Sequence, residues 1–278
     1  MDDDRLPAAT GVGRVALTVG DLGKVAEFYE SVVGLMVHER AGERAILGDS
    51  ETALLELRAD RSAPERPRSA AGLFHTAFRV PSRAGLGDAL ERLDARWQLS
   101  GASDHLVSEA LYCRDPEGNG VEIYRDRPRS VWEETPDGEV RMATEPLDAT
   151  GVREAANGSD AVPAGTDVGH VHLEVTDLDA ARAFYADALG MTVRTTYDGA
   201  CFLAAGAYHH HVGVNVWNGR STPAGGRGLD WYELRLPTDA AITEARERLD
   251  RAGYALEVTA DGVRVTDPDG IALRLTSR

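Results

Sequence analysis

Ser103 to Tyr124 reads S-D-H-L-V-S-E-A-L-Y-C-R-D-P-E-G-N-G-V-E-I-Y, and the organisation of the whole chain follows from it. Asp115-Pro116-Glu117-Gly118 places Pro second and Gly fourth, the positions a type I turn prefers for them. Apolar alternating runs flank the turn, so the stretch reads as a hairpin. Alternate residues of a strand share a face. The two runs can therefore present the imidazole of His105, the phenol of Tyr112 and the carboxylate of Glu122 to one cavity.

The same turn returns as Asp267-Pro268-Asp269-Gly270, which points to internal repetition. Four segments share an alternating strand, a polar turn, an amphipathic helix and three short strands. The first begins near Val12; Val25, Phe28, Tyr29 and Val32 fall at helical spacing, with Asp21 as N-cap and Gly34 as stop. The second begins near Gly72, carries Leu86, Leu90 and Leu93, and closes with the hairpin. The third begins near Val168, carries Ala181, Phe184, Tyr185 and Ala188, and ends at Tyr208 to Trp217. The fourth begins near Leu229, with Ile242, Ala245 and Leu249 on its helix. The expected class is α+β: four βαβββ modules at 10–60, 70–126, 167–220 and 227–278, forming two bowls. Residues 127–166 form a polar, proline-containing linker, long enough to suggest a function or a tether.

Composition bounds the partners. The 278 residues carry a formal charge of −16, which argues against nucleic acid and anionic membranes. Lys24 is the only lysine, and this acidic, arginine-based surface suggests a salt-loving host. No apolar run is long enough for a transmembrane helix, and the start, M-D-D-D-R, lacks a signal-peptide core. Cys113 and Cys201 lie in apolar runs and read as buried free thiols, so a cytoplasmic location is expected.

The hairpin also resembles the signature of extradiol ring-cleavage dioxygenases of the vicinal oxygen chelate superfamily. That signature is a His, an aliphatic-Tyr pair, an acidic-Pro-x-Gly turn and a Glu. His105, Leu111-Tyr112, Asp115 to Gly118 and Glu122 stand in those places; Ser103 departs from the Gly, Asn or small apolar residue more usual there. The βαβββ repeat resembles that superfamily's fold, in which two units pair and their curled sheets form a bowl around a metal. Y-H-H-H-V-G-V-N-V-W (208–217) and E-I-Y-R-D-R-P-R-S-V-W (122–132) are similar to bacterial catechol 2,3-dioxygenases.

Aligning the four units within the chain identifies a ligand set. The inward first-strand position is Arg14, His75, His170 and Trp231; the last-strand position is Glu56, Glu122, Asn215 and Arg274. A catalytic non-haem iron site needs two imidazoles and one carboxylate on one face. Units one and two offer one imidazole, and units three and four offer no carboxylate. Units two and three offer His75, Glu122 and His170, the complete set. The expectation is one live bowl from the middle units and one dead bowl holding Arg14, Glu56, Trp231 and Arg274. His172, two residues beyond His170 on the same face, stays open as an alternative ligand or a substrate contact.

The resemblance implies the rest of the site. Ferrous iron, with Mn(II) as the other option, would sit on the triad and take catechol and dioxygen. His105 and Tyr112 would hydrogen-bond the substrate oxygens. In the run His209-His210-His211, the second position of the His-His pair is His211, the expected acid–base group; His210 would face the other way, toward a substrate contact. A homo-oligomer is compatible with this reading. The rivals are a glyoxalase-like metal isomerase, which usually takes two carboxylates, and a metal-free binder of the bleomycin-resistance type.

Overall fold

The computed structural model describes residues 5–136 and 138–277; the acidic start, Met1 to Asp4, lies outside the described residues. Unit one runs β1 (Gly11–Val19), α1 (Leu22–Phe28), β2 (Met36–Ala41), β3 (Arg44–Gly48) and β4 (Ala53–Ala59). Unit two runs β5 (Gly72–Arg79), α2 (Arg83–Arg96), β6 (Gly101–Asp104), β7 (Ser108–Arg114) and β8 (Gly120–Asp126). The segment that follows carries β9 (Glu145–Pro146) and α3 (Ala149–Glu154). Unit three runs β10 (Asp167–Glu174), α4 (Leu178–Arg182), β11 (Thr192–Tyr197), β12 (Ala200–Ala204) and β13 (Val212–Asn215). Unit four runs β14 (Gly228–Leu236), α5 (Asp239–Arg251), β15 (Leu256–Thr259), β16 (Gly262–Thr266) and β17 (Ala272–Ser277).

Local chemistry sets the helix ends. Asp21 caps α1 by accepting from the Lys24 N–H at 3.0 Å, and Asp177 caps α4 in the same way. Gly34 stops the first helix at φ 90°, a left-handed backbone that glycine takes without penalty. Between cap and stop, Tyr29–Val33 and Ala183–Ala188 form π-helical turns that apolar spacing did not foretell. Such turns are rare and local. Each includes a buried tyrosine whose hydroxyl reaches a turn aspartate: Tyr29 to Asp115 at 3.5 Å, and Tyr185 to Asp267 at 2.9 Å.

Two curled sheets result, ordered β15-β16-β17-β14-β1-β4-β3-β2 and β11-β12-β13-β10-β5-β8-β7-β6-β9. Within each unit the first strand lies parallel to the last. Between units, first strands meet antiparallel: β1 with β14, and β5 with β10. Units two and three thus share one bowl, and units one and four share the other. Helices and turns bind the units in a different combination. Arg92 on α2 donates to the Val32 and Val33 carbonyls, at 3.2 and 2.8 Å, and Glu117 accepts from the Gly20 and Asp21 N–H groups. Arg248 on α5 likewise donates to the Leu189 carbonyl at 3.0 Å. Sheet pairing therefore joins units two and three, whereas helix ends and turns lock one to two and three to four. Cys113 and Cys201 are buried free thiols. Among the described residues, no helix is long and apolar enough to cross a membrane.

Candidate metal centre and its cavity

The antiparallel register of β5 and β10 sets His172 opposite His75 and His170 opposite Ala77. On the other side of β5, the parallel register of β8 sets Glu122 opposite the same Ala77. A small residue between them lets the His170 and Glu122 side chains close over it. His75 Nε2 and His170 Nε2 lie 3.0 and 3.1 Å from one Glu122 oxygen, Oε2, and 3.4 Å from each other. The three ligand atoms lie within 4.8 Å of one another, and all three residues are buried.

This donor set fits a divalent metal. Burial alone would raise the Glu122 carboxyl, but His170 and His75 hold it well below the usual carboxylate range. Burial draws His170 down to about 4, against the opposing pull of Glu122. A charged carboxylate beside neutral imidazole is the protonation state a metal requires. Two imidazoles and one carboxylate also leave positions for other ligands.

The triad floors a cavity of about 600 Å³. His105 and Tyr112 line it, but His105 does not lie on the hairpin; it follows β6, in a turn where Leu106 is left-handed at φ 69°. Only β7 and β8 flank Asp115 to Gly118, and Tyr112 and Glu122 face each other across them. His105 Nδ1 lies 2.7 Å from the Ala143 carbonyl, which only accepts, so Nδ1 carries the proton. In neutral imidazole the other nitrogen is then an acceptor, and the Tyr112 hydroxyl donates to His105 Nε2 at 2.7 Å.

The structure reverses the two histidines of the His-His pair. His210 lines the cavity, its ring 4.1 Å from that of His170. His211 does not: its Nδ1 accepts from the Ala205 N–H, its ring packs on Tyr208, and it lines a separate pocket with Arg79 and Arg129. The resemblance took the last two histidines of the run as the pair that opens the strand. The strand begins at Val212, so all three histidines lie in the loop before it.

That loop carries a relay absent from the sequence reading. His209 Nε2 lies 3.0 Å from Asp126 Oδ1, and His209 Nδ1 lies 2.7 Å from His210 Nδ1. Burial lowers both imidazoles, although Asp126 pulls the other way on His209, so both are neutral near pH 7. The carboxylate accepts, so His209 carries its proton on Nε2 and offers a bare Nδ1. His210 must then donate from Nδ1, which leaves its Nε2 unprotonated. A signal existed: Asp126 follows Glu122 by four on one strand, which is the same face.

His172 lines the cavity, its ring 5.0 Å from that of His75, and its Nε2 is buried without a hydrogen-bond partner. Gly213 lies beside it, where an added Cβ would come within 2.9 Å of the ring. The β10–β13 register pairs His172 with Gly213, so Gly213, not Asn215, holds the place equivalent to Glu122. Asn215 is buried and donates to the Leu173 carbonyl. The inter-unit segment also proved to be wall: Met142, Ala143 and Thr144 line the cavity, and β9 pairs with β6.

The outer bowl lacks this chemistry. Glu56 is buried against Arg14, Arg44 and Arg58 at 3.3, 3.0 and 2.7 Å. Arg274 stacks 3.9 Å above the Trp231 ring. Three guanidiniums around one carboxylate leave no lone pair for a cation.

Comparison with known proteins agrees with this geometry. Residues 11–123 and 167–275 match the Glyoxalase/Bleomycin resistance protein/Dioxygenase superfamily. The chain is 41% identical to the catechol-2,3-dioxygenase of Bacillus subtilis (strain 168) over 268 residues, 93% of this chain and 94% of that one. The fold also matches solved glyoxalase I from Zea mays with a TM-score of 0.59 at 16% identity, covering 97% of this chain and 92% of that one. Two matched segments spanning both bowls, and close identity over nearly the full length, place this chain in the Glyoxalase/Bleomycin resistance protein/Dioxygenase superfamily.

Proposed function

We propose that the protein is an extradiol dioxygenase that opens the ring of a catechol beside its diol, giving a muconic semialdehyde. One observation carries this reading: the buried His75–Glu122–His170 cluster shares a cavity with the His105–Tyr112 pair and with His210. The similarity to a catechol-2,3-dioxygenase supports it.

His75, Glu122 and His170 would hold Fe(II), or Mn(II) in its place. The metal, when bound, supplies a Lewis acid and a common seat for diol and dioxygen. The chain's own residues handle the protons. A diol proton at the Tyr112 oxygen can be taken up as Tyr112 passes its own to His105 Nε2. The Ala143 carbonyl, already accepting from Nδ1, steadies the cation so formed. As the ring opens, the proton returns by the same path. On the cavity wall beside His170, His210 can take up a proton on its free nitrogen and would then donate that proton to an oxygen supplied by dioxygen. His172 is a substrate contact rather than a ligand, because the metal set is complete without it. Residues 142–144 wall one side of the cavity and shield the opened ring from water on that side.

A glyoxalase-type isomerase is disfavoured because the cavity's metal set holds a single carboxylate and Glu56 is locked away by arginines. The test is anaerobic loading with Fe(II), then catechol and air. A yellow product with one dioxygen consumed per catechol is expected, and its absence from fully iron-loaded protein overturns the reading.

A further inference from the structure

The cavity is larger than the ring it is proposed to hold. It measures about 600 Å³, whereas about 150 Å³ suffices for benzene. The surplus is lined by one continuous aromatic wall. Phe74 packs on His75 at 5.3 Å and on His172 at 5.1 Å, and Trp217 continues the wall 5.7 Å from Phe74. Phe202 lies 5.4 Å from His172, and Tyr197 lies 5.8 Å from Phe202. Met142 is a further apolar part of the wall, tethered where the Tyr197 hydroxyl donates to its carbonyl at 2.6 Å.

The charged side chains that line the cavity share one sign. Among the described residues that line it, the carboxylates are Glu122 and Asp198, and none is Lys or Arg. Asp198 stands exposed at the mouth, its carbonyl bonded by the Trp217 indole N–H at 3.0 Å. The whole chain adds a formal charge of −16. An anionic substituent would be repelled on approach and left unpaired inside. An apolar one would gain the full benefit of burial against aromatic side chains.

Resting on the dioxygenase reading, we propose that the substrate is an uncharged catechol bearing a bulky apolar group, aryl or branched alkyl, seated on the Phe74–Phe202–Trp217 wall, and that carboxylated catechols are excluded. The diol goes to the triad, and the substituent points toward the mouth between Tyr197 and Trp217. Specificity then resides in residues that never touch the reacting atoms.

The test compares catechol, phenylcatechol and 3,4-dihydroxybenzoate on the Fe(II)-loaded protein. Binding is read anaerobically by titration calorimetry, and turnover is read in air. Phenylcatechol should bind roughly tenfold or more tighter than catechol. Dihydroxybenzoate should bind roughly 100-fold or more weaker than phenylcatechol. Trp217→Ala should narrow the first gap, and Asp198→Arg should narrow the second. If catechol is turned over but dihydroxybenzoate binds as tightly as phenylcatechol, this proposal falls and the dioxygenase reading stands. If no diol binds, both fall.

Discussion

At the scale of single residues, the outcome turns on which of two adjacent histidines faces the chemistry. His210 packs on His170, and His211 packs on Tyr208 at the far side of the loop. His210→Phe should therefore keep its metal and lose turnover by roughly 10²-fold or more, while His211→Phe should stay within a few fold. Metal analysis with steady-state oxygen uptake checks both, and the opposite pattern would return the acid–base role to His211. Behind His210, Asp126 holds His209 in the tautomer that the relay requires. Asp126→Asn should lower kcat roughly 10- to 100-fold with little change in KM or metal content. ¹⁵N chemical shifts of the histidine side chains should also show the His209 proton leaving Nε2. The triad itself was legible in the sequence, because Glu122, His75 and His170 sit at equivalent or face-sharing positions of a repeat. His210 was not, because the run of three histidines precedes the strand and only its folding shows which ring lines the cavity.

At the scale of elements, the Asp-Pro-x-Gly turn does more than reverse the chain. Asp115 accepts from the Glu117 and Asn119 N–H groups at 2.9 Å each, and the Gly118 N–H closes the turn onto the Asp115 carbonyl at 3.0 Å. Glu117 then clamps the start of α1, and Asp269 does the same for Thr176 in the other half of the molecule. Asp115→Ala strands several part-buried donors and the buried Tyr29 hydroxyl, so the protein should lose roughly 2 kcal/mol or more of stability. A drop of several degrees in melting temperature checks this, and an unchanged one would make the turn passive. The type I turn was readable from Pro and Gly alone. Its grip on unit one was not, since the partners lie 96 and 97 residues away. The segment after β8, whose length and polar composition suggest a function or a tether, is held by contacts just as distant: two backbone carbonyls, of Met142 and Ala143, anchor it across the cavity.

At the scale of the molecule, the metal-free protein concentrates buried histidines in one bowl. Burial is the largest cause lowering His170, His172, His209, His210 and His211, with His170 drawn to about 4 and His211 to about 3. With folded values below the ordinary 6.5, the unfolded chain binds more protons through this window. Stability must then fall as pH drops from about 6.5 toward 4. Glu122, held low in the fold, adds to the loss at the acid end. Asp267, raised by burial to about 6, and Asp115, also raised by burial, work in the opposite direction, but they are two groups against several. A thermal melt of the metal-free protein should show a steady decline over that range; a flat profile would mean that the bowl opens to water before the triad titrates. Metal should raise the melting temperature by mass action, and chelation should remove the gain.

The repeat, the turn chemistry and the ligand types are local or periodic properties, so the amino-acid order alone settled the fold class and the pairing that the triad requires. What surrounds the triad depends on contacts distant in sequence. The Asp126–His209–His210 relay, the wall made by residues 142–144 and the place of Gly213, not Asn215, opposite His172 each depend on how a loop folds across a sheet or on a two-residue register. Side-chain period specifies a face only where the ladder of backbone hydrogen bonds continues. Where it stops, packing decides, and only the folded chain contains that information.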